Sequence, residues 1–154
     1  MKRLAIVLIP VAAQVAAPAA AQDFDAFRAC VEEVEVAAIT ATFHHCTGAV
    51  AQPCGASANA KEAAECIDGK RAAVEAELDV VIARLAARPD ETEEGVRDAL
   101  NANRSSGEAS CAVMANQDAA KGVAVGQRAV NGAFCQLIVS GDVLGMAYRL
   151  EKTE

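Results

Sequence analysis

The chain has no tryptophan, one tyrosine and four phenylalanines, so only 3% of its 154 residues are aromatic. Aromatic side chains bring the largest single burial gains to a core. Their scarcity leaves alanine and the aliphatic residues to build one. Alanine buries little area, and burial contributes roughly 25 cal/mol per Å², so such a core gains stability slowly. Soft metal ligands are also few. There are two histidines, His44 and His45, and no two cysteines stand in C-x-x-C spacing, which excludes the common zinc-ribbon and haem-attachment patterns. The chain contains no G-x-S-x-G, no H-E-x-x-H and no glycine-rich phosphate loop, the patterns that mark hydrolase, metalloprotease and nucleotide chemistry. Long apolar–polar alternation is absent, which argues against a strand-rich fold. Basic residues are outnumbered, 14 against 21, for a formal charge of −7. Such a surface repels nucleic acid and anionic lipid.

What is present begins with an export signal. Lys2 and Arg3 make a basic head, and residues 4–9 (LAIVLI) an apolar run continued by Val11, Ala12 and Ala13. Ala19, Ala20 and Ala21 then supply a small-residue site before Gln22. That order is the order of a cleavable signal peptide. Pro10, Gln14 and Pro18 interrupt the run, which falls short of the roughly 20 apolar residues of a bilayer span. Cleavage after Ala21 is expected, with residues 1–21 as signal peptide and the remainder periplasmic or secreted, without a membrane span. The leader holds two of the fourteen basic residues and none of the acidic ones, which leaves residues 22–154 at −9. An acidic surface of this kind keeps an exported protein soluble, and it speeds encounter with a cationic partner.

The six cysteines are Cys30, Cys46, Cys54, Cys66, Cys111 and Cys135. An even number in an exported chain reads as three disulfides. Fifteen pairings are possible. Cys46 and Cys54 flank the Gly- and Pro-containing stretch TGAVAQP and are expected to close on each other. Cys111–Cys135 would tie two helices, and Cys30–Cys66 would join the first helix to the second. The run His44-His45-Cys46 is the one cluster of soft ligands. A metal needs three or four that converge, and neighbours on a helix point about 100° apart. No metal or cofactor is expected, and no catalytic residue. Thiol catalysis needs a reduced cysteine, and the carboxylates are expected on solvated helix faces.

The remaining pattern is helical. Residues 24–45 form a first helix with Phe24, Phe27, Val31 and Val34 on one face. Residues 47–58, with Gly48, Pro53 and Gly55, read as a loop. Asn59 and Glu62 make a capping box for a long helix with Ile67, Val74, Leu78, Val81 and Leu85 as its stripe and Glu75 and Glu77 off it. This helix ends before Pro89. Asp90 and Glu93 suggest another capping box. The third helix that follows carries Val96, Leu100, Asn103, Gly107, Cys111 and Met114 on one face. Asn103 and Gly107 stand where bulk is wanted, so Gly107 marks either a close approach of another backbone or a weak point. After a connection over 117–125, residues 127–139 form a fourth helix with Val130, Phe134 and Ile138. Ser140-Gly141-Asp142 breaks it before a short helix over 143–151. The expected fold is all-α: a small antiparallel helical bundle, or helical hairpin, stapled by disulfides. Residues 22–58 would be an N-terminal helix and cysteine loop, and 59–154 the main helical domain.

Four stretches carry a family likeness: CTGAVAQPC at 46–54; Ala64-Glu65-Cys66 with the acidic run Glu75-Ala76-Glu77-Leu78-Asp79; LNANRSSGEASC at 100–111; and Cys135 with Ser140. Together they resemble the lysozyme inhibitor LprI-type family of exported bacterial proteins. Where that family has tryptophan, arginine and glutamine in the third stretch, this chain has Asn103, Gly107 and Leu100. Val143 stands in place of the arginine near the C-terminus. The resemblance implies a helical, disulfide-linked periplasmic binding protein, with a cationic lysozyme-like enzyme as partner for some members. The alternative is a structural or interaction protein of the envelope without inhibitory activity, which the missing tryptophan and arginine favour. No inhibitory residue carries over, and the oligomeric state stays open.

Overall fold

A computed structural model describes residues 20–34 and 43–152 of the chain. Five α-helices follow in order: α1 (Ala20–Glu33), α2 (Phe43–Ala51), α3 (Ala60–Ala86), α4 (Glu93–Ala120) and α5 (Val125–Lys152), with a 3₁₀ helix at Gln52–Ala56 after α2. The expected signal peptide lies outside the described residues as far as residue 19, and so does the 35–42 portion of the expected first helix. No strand occurs among the described residues. The fold is all-α, with three disulfides.

The long helix α3 forms where its sequence says it should. Asn59 Oδ1 accepts from the Glu62 backbone N–H at 3.0 Å, and Glu62 Oε2 reaches back to the Ala58 N–H at 3.2 Å. This is a capping arrangement offset by one residue from the reciprocal box. All five residues of the expected stripe are buried, together with Ile82. The next cap differs from expectation. Thr92, not Asp90, accepts from the Gly95 N–H at 3.1 Å. Asp90 instead makes the turn with a φ of 69°, a left-handed conformation that aspartate tolerates better than most residues. α4 then runs to Ala120, past the connection expected at 117, and Gly122 (φ 71°) closes the turn into α5.

α4 is antiparallel to both of its long neighbours. Arg97 and Arg104 meet Asp79 and Glu75 of α3, while Gly107 and Cys111 meet Val139 and Cys135 of α5. α3 and α5 therefore lie parallel, with Glu75 beside Ser140 and Arg84 beside Glu151. α5 is the central element. α2 packs antiparallel across it, with Phe43 over Gly145 and Thr47 over Gly141. α1 reaches it through Phe27, whose ring lies 6.3 Å from that of Tyr148. One core collects buried residues from all five helices, among them Phe27, Phe43, Leu78, Leu100 and Leu144.

Several expectations are overturned here. The segment 47–58 is not a loop: α2 covers its first part and the 3₁₀ helix continues it. α1 stops at Glu33, so residues 24–45 are not one continuous helix. Ser140-Gly141-Asp142 does not break α5, which is continuous. The small residues serve packing instead. A Cβ added at Gly141 would lie 3.1 Å from Thr47 Cγ2, and one at Gly145 would lie 2.7 Å from Phe43 Cδ1. These glycines let α2 settle directly onto the α5 backbone. The buried line of α5 is correspondingly Ala133, Leu137, Leu144, Ala147 and Tyr148, while the expected Val130, Phe134 and Ile138 are only partly buried. Gly107 does mark a close approach, but to a side chain: an added Cβ would stand 2.7 Å from Val139 Cγ2.

The disulfides pair as Cys30–Cys46, Cys54–Cys66 and Cys111–Cys135. The expected Cys111–Cys135 bond is present; the expected Cys46–Cys54 and Cys30–Cys66 bonds are not. The reason is the helical course of 46–54. Five α-helical steps of ~1.5 Å and three 3₁₀ steps of ~2.0 Å separate the two positions by about 13 Å, beyond the ~7 Å Cα limit for bridging. Each cysteine therefore bonds to a neighbouring helix, with Cα–Cα distances of 5.7 Å to α1 and 5.6 Å to α3.

Non-reducing peptide mapping of the oxidised protein should return the 30–46, 54–66 and 111–135 linked pairs and no 46–54 pair. Gly145→Ala should lower unfolding stability by up to about 2 kcal/mol, since overpacking a filled site costs ~1–3 kcal/mol against a helix-propensity gain of ~1 kcal/mol. Gly132→Ala, with nothing within 4 Å of its added Cβ, should raise it. Denaturant titration of both variants separates the two signs.

Candidate functional site

Polar chemistry concentrates along the edges of α3. Glu75 follows the core residue Val74 and so sits about 100° around the helix from it, at the seam with α4 and α5. Arg104 Nη1 and Nη2 donate to its two carboxylate oxygens at 2.7 and 2.8 Å, and Ser140 Oγ donates to Oε1 at 2.5 Å. The Arg104 hydrogen bonds hold the Glu75 carboxyl below the usual glutamate range, against the opposing effect of burial, and Ser140 adds to the lowering. The same pairing raises Arg104. Three helices are thus joined at one carboxylate.

A second cluster lies further along α3. Glu77 Oε1 accepts from the Tyr148 hydroxyl at 2.9 Å and from Arg28 Nη2 at 3.3 Å. The Arg28 guanidinium also stacks 4.5 Å from the centre of the Tyr148 ring. Burial, first of all, pushes the Tyr148 phenol up to about 12. Arg84 Nε donates to Glu151 Oε1 at 2.6 Å, which ties the ends of α3 and α5. Contrary to the expectation of solvated faces, Glu75 and Glu77 are only partly exposed and engaged with cations. No local pattern announces this, because Arg104, Ser140 and Tyr148 are 29, 65 and 71 residues away.

His44 and His45 are both exposed. His44 Nδ1 lies 3.0 Å from Asp142 Oδ2 across the α2–α5 contact. Burial raises the Asp142 carboxyl, partly offset by the hydrogen bond from His44. No group of three or more metal-ligating side chains occurs among the described residues. All six cysteines are engaged in disulfides. Ser140 is 2% exposed and bonded to Glu75, so it offers solvent no attacking hydroxyl.

The surface carries two features of another kind. Asp90, Glu91, Glu93, Glu94 and Asp98 are all exposed around the α3–α4 turn, in keeping with the expectation of carboxylates on solvated faces. On α4, Asn103 is exposed and Gly107 is covered by Val139. A groove of about 590 Å³ opens between α1 and the end of α5, and a smaller one of about 370 Å³ lies beside the Cys54 disulfide. In comparison with known proteins, no family model, no curated protein and no solved structure matches the chain.

The Glu75 bond gives a pH signature. A carboxylate with a lowered folded pKa stabilises the fold above its unfolded value, and that contribution is lost as pH falls through the folded value. The window therefore opens just below the ordinary 4.5. Glu75→Gln should lose about 1–2 kcal/mol at pH 7, scaled down from charged hydrogen bonds of ~1.5–3 kcal/mol for partial exposure. The gap to the wild type should shrink as pH drops below 4.5. Urea unfolding at pH 7 and in acid measures it; an equal loss at both would count against the assignment.

Proposed function

We propose that this is an exported binding protein that inhibits lysozyme-type cell-wall hydrolases. The observation that carries the reading is a disulfide-closed, all-α chain whose cysteine stretches resemble the LprI-type inhibitors and whose formal charge is −7. Three closed disulfides fit an oxidising compartment, and so agree with the periplasmic or secreted location expected from the leader. Lysozymes are typically cationic, and complementary charge raises the encounter rate. The exposed carboxylates at the α3–α4 turn offer an acidic surface for this.

A second reading has its own support. Asn103 and Gly107 replace the bulky and basic residues of the family pattern, and Gly107 is occluded by Val139. A protein with that surface altered serves as an interaction component of the envelope without inhibition.

Lysis of a cell-wall suspension by lysozyme distinguishes the two. Under inhibition, the purified oxidised protein slows clearing near equimolar ratio. Lysine at Asp90, Glu91, Glu93 and Glu94 then cuts the association rate about tenfold at low salt. No slowing at large excess over several lysozyme classes overturns the inhibitor reading. Recovery of an envelope protein, without a hydrolase, from a periplasmic extract supports the second.

A further inference from the structure

The groove between α1 and the last turns of α5 is independent of the acidic turn and is used by neither reading above. Its volume, about 590 Å³, lies within the ~300–1,000 Å³ range of small-molecule sites. Val31, Val34, Met146 and Leu150 give it an apolar lining, and Leu150 is 38% exposed. Three cations and two carboxylates border it: Arg28, Arg149 and Lys152 against Glu32 and Glu151. In a chain with seven more acidic than basic residues, this is a local surplus of one positive charge.

That surplus falls on Arg149. Arg28 is matched by Glu77, Lys152 by Glu32 at 2.7 Å, and Glu151 is held by Arg84. Arg149 has no ion pair among the described residues. Its Nη2 donates to the Val34 carbonyl at 2.7 Å, and its guanidinium stands 5.2 Å from the centre of the Phe43 ring. Nη1 is buried and has no hydrogen-bond acceptor among the described residues. A buried charged donor without an acceptor is strongly unfavourable, and the planar guanidinium fork matches the paired oxygens of a carboxylate.

We propose that this groove binds a long-chain carboxylate, with the acyl chain on Val31, Val34, Met146 and Leu150 and the head group on Arg149. The single positive surplus favours a monoanion. Glu32 and Glu151 at the border oppose a doubly charged head group. The ligand class is thus a free fatty acid.

The test uses the full oxidised chain and displacement of a dansyl-labelled fatty acid by dodecanoate, 1-dodecanol and dodecyltrimethylammonium, all below their aggregation limits. Dodecanoate should displace the probe saturably at one site per chain, with the alcohol and the cation at least tenfold weaker. Arg149→Met should weaken dodecanoate about tenfold while leaving dodecanol within about twofold. Leu150→Glu should weaken both. If Arg149→Met loses its helical circular dichroism, the dodecanoate-to-dodecanol ratio in the wild type, together with Leu150→Glu, decides the matter. Equal affinity for acid and alcohol overturns the proposal. So does binding to vesicles without displacement by monomeric dodecanoate, or a dimer in sedimentation that excludes the probe.

Discussion

The seating of α2 on the backbone of α5 is the contact on which the rest of this architecture depends. Thr47 and Phe43 are buried against Gly141 and Gly145, at a distance no larger residue on α5 would allow. Dispersion falls off quickly with separation, so in a chain with few large side chains close approach has to supply what bulk does not. Thr47 enters this contact without an orphaned hydroxyl, because its Oγ1 donates to the Phe43 carbonyl at 2.9 Å, the back-bond open to a threonine within a helix. Once α2 is seated, Cys46 faces α1, and the 3₁₀ helix that continues α2 carries Cys54 to α3. The first two disulfides record that placement.

The long helices are held in register differently. Their apolar seams are built from Val, Leu and Ala, and helices with such seams can slide. Glu75 and Glu77 resist sliding, because each accepts from donors on two other helices. Charge pairs that are partly withdrawn from water add little net stability, since desolvation offsets most of the attraction; leaving one partner unmatched is the costly event. Their contribution here is to penalise every register except this one.

Much of the fold was legible locally. The α3 stripe of Ile67, Val74, Leu78, Val81 and Leu85 needed only helical periodicity, and the Asn59 cap needed only its neighbours. The acidic turn was legible as exposed charge. The groove over Arg149 was not, because its walls come from α1 and α5, and the Arg149–Val34 bond across them spans 115 residues of sequence. Glu75 looked like any other surface glutamate until Arg104 and Ser140 were brought to it.

Gly141 shows where the division falls. By itself the amino-acid order determined the helical class, the long α3 and most of α4, and the even set of cysteines, because these depend on contacts within a few residues. Whether Ser140-Gly141 interrupts a helix or receives another one, and which cysteine meets which, was decided only in three dimensions. A small residue has no local preference strong enough to declare its purpose; its meaning is the partner that fills the space it leaves.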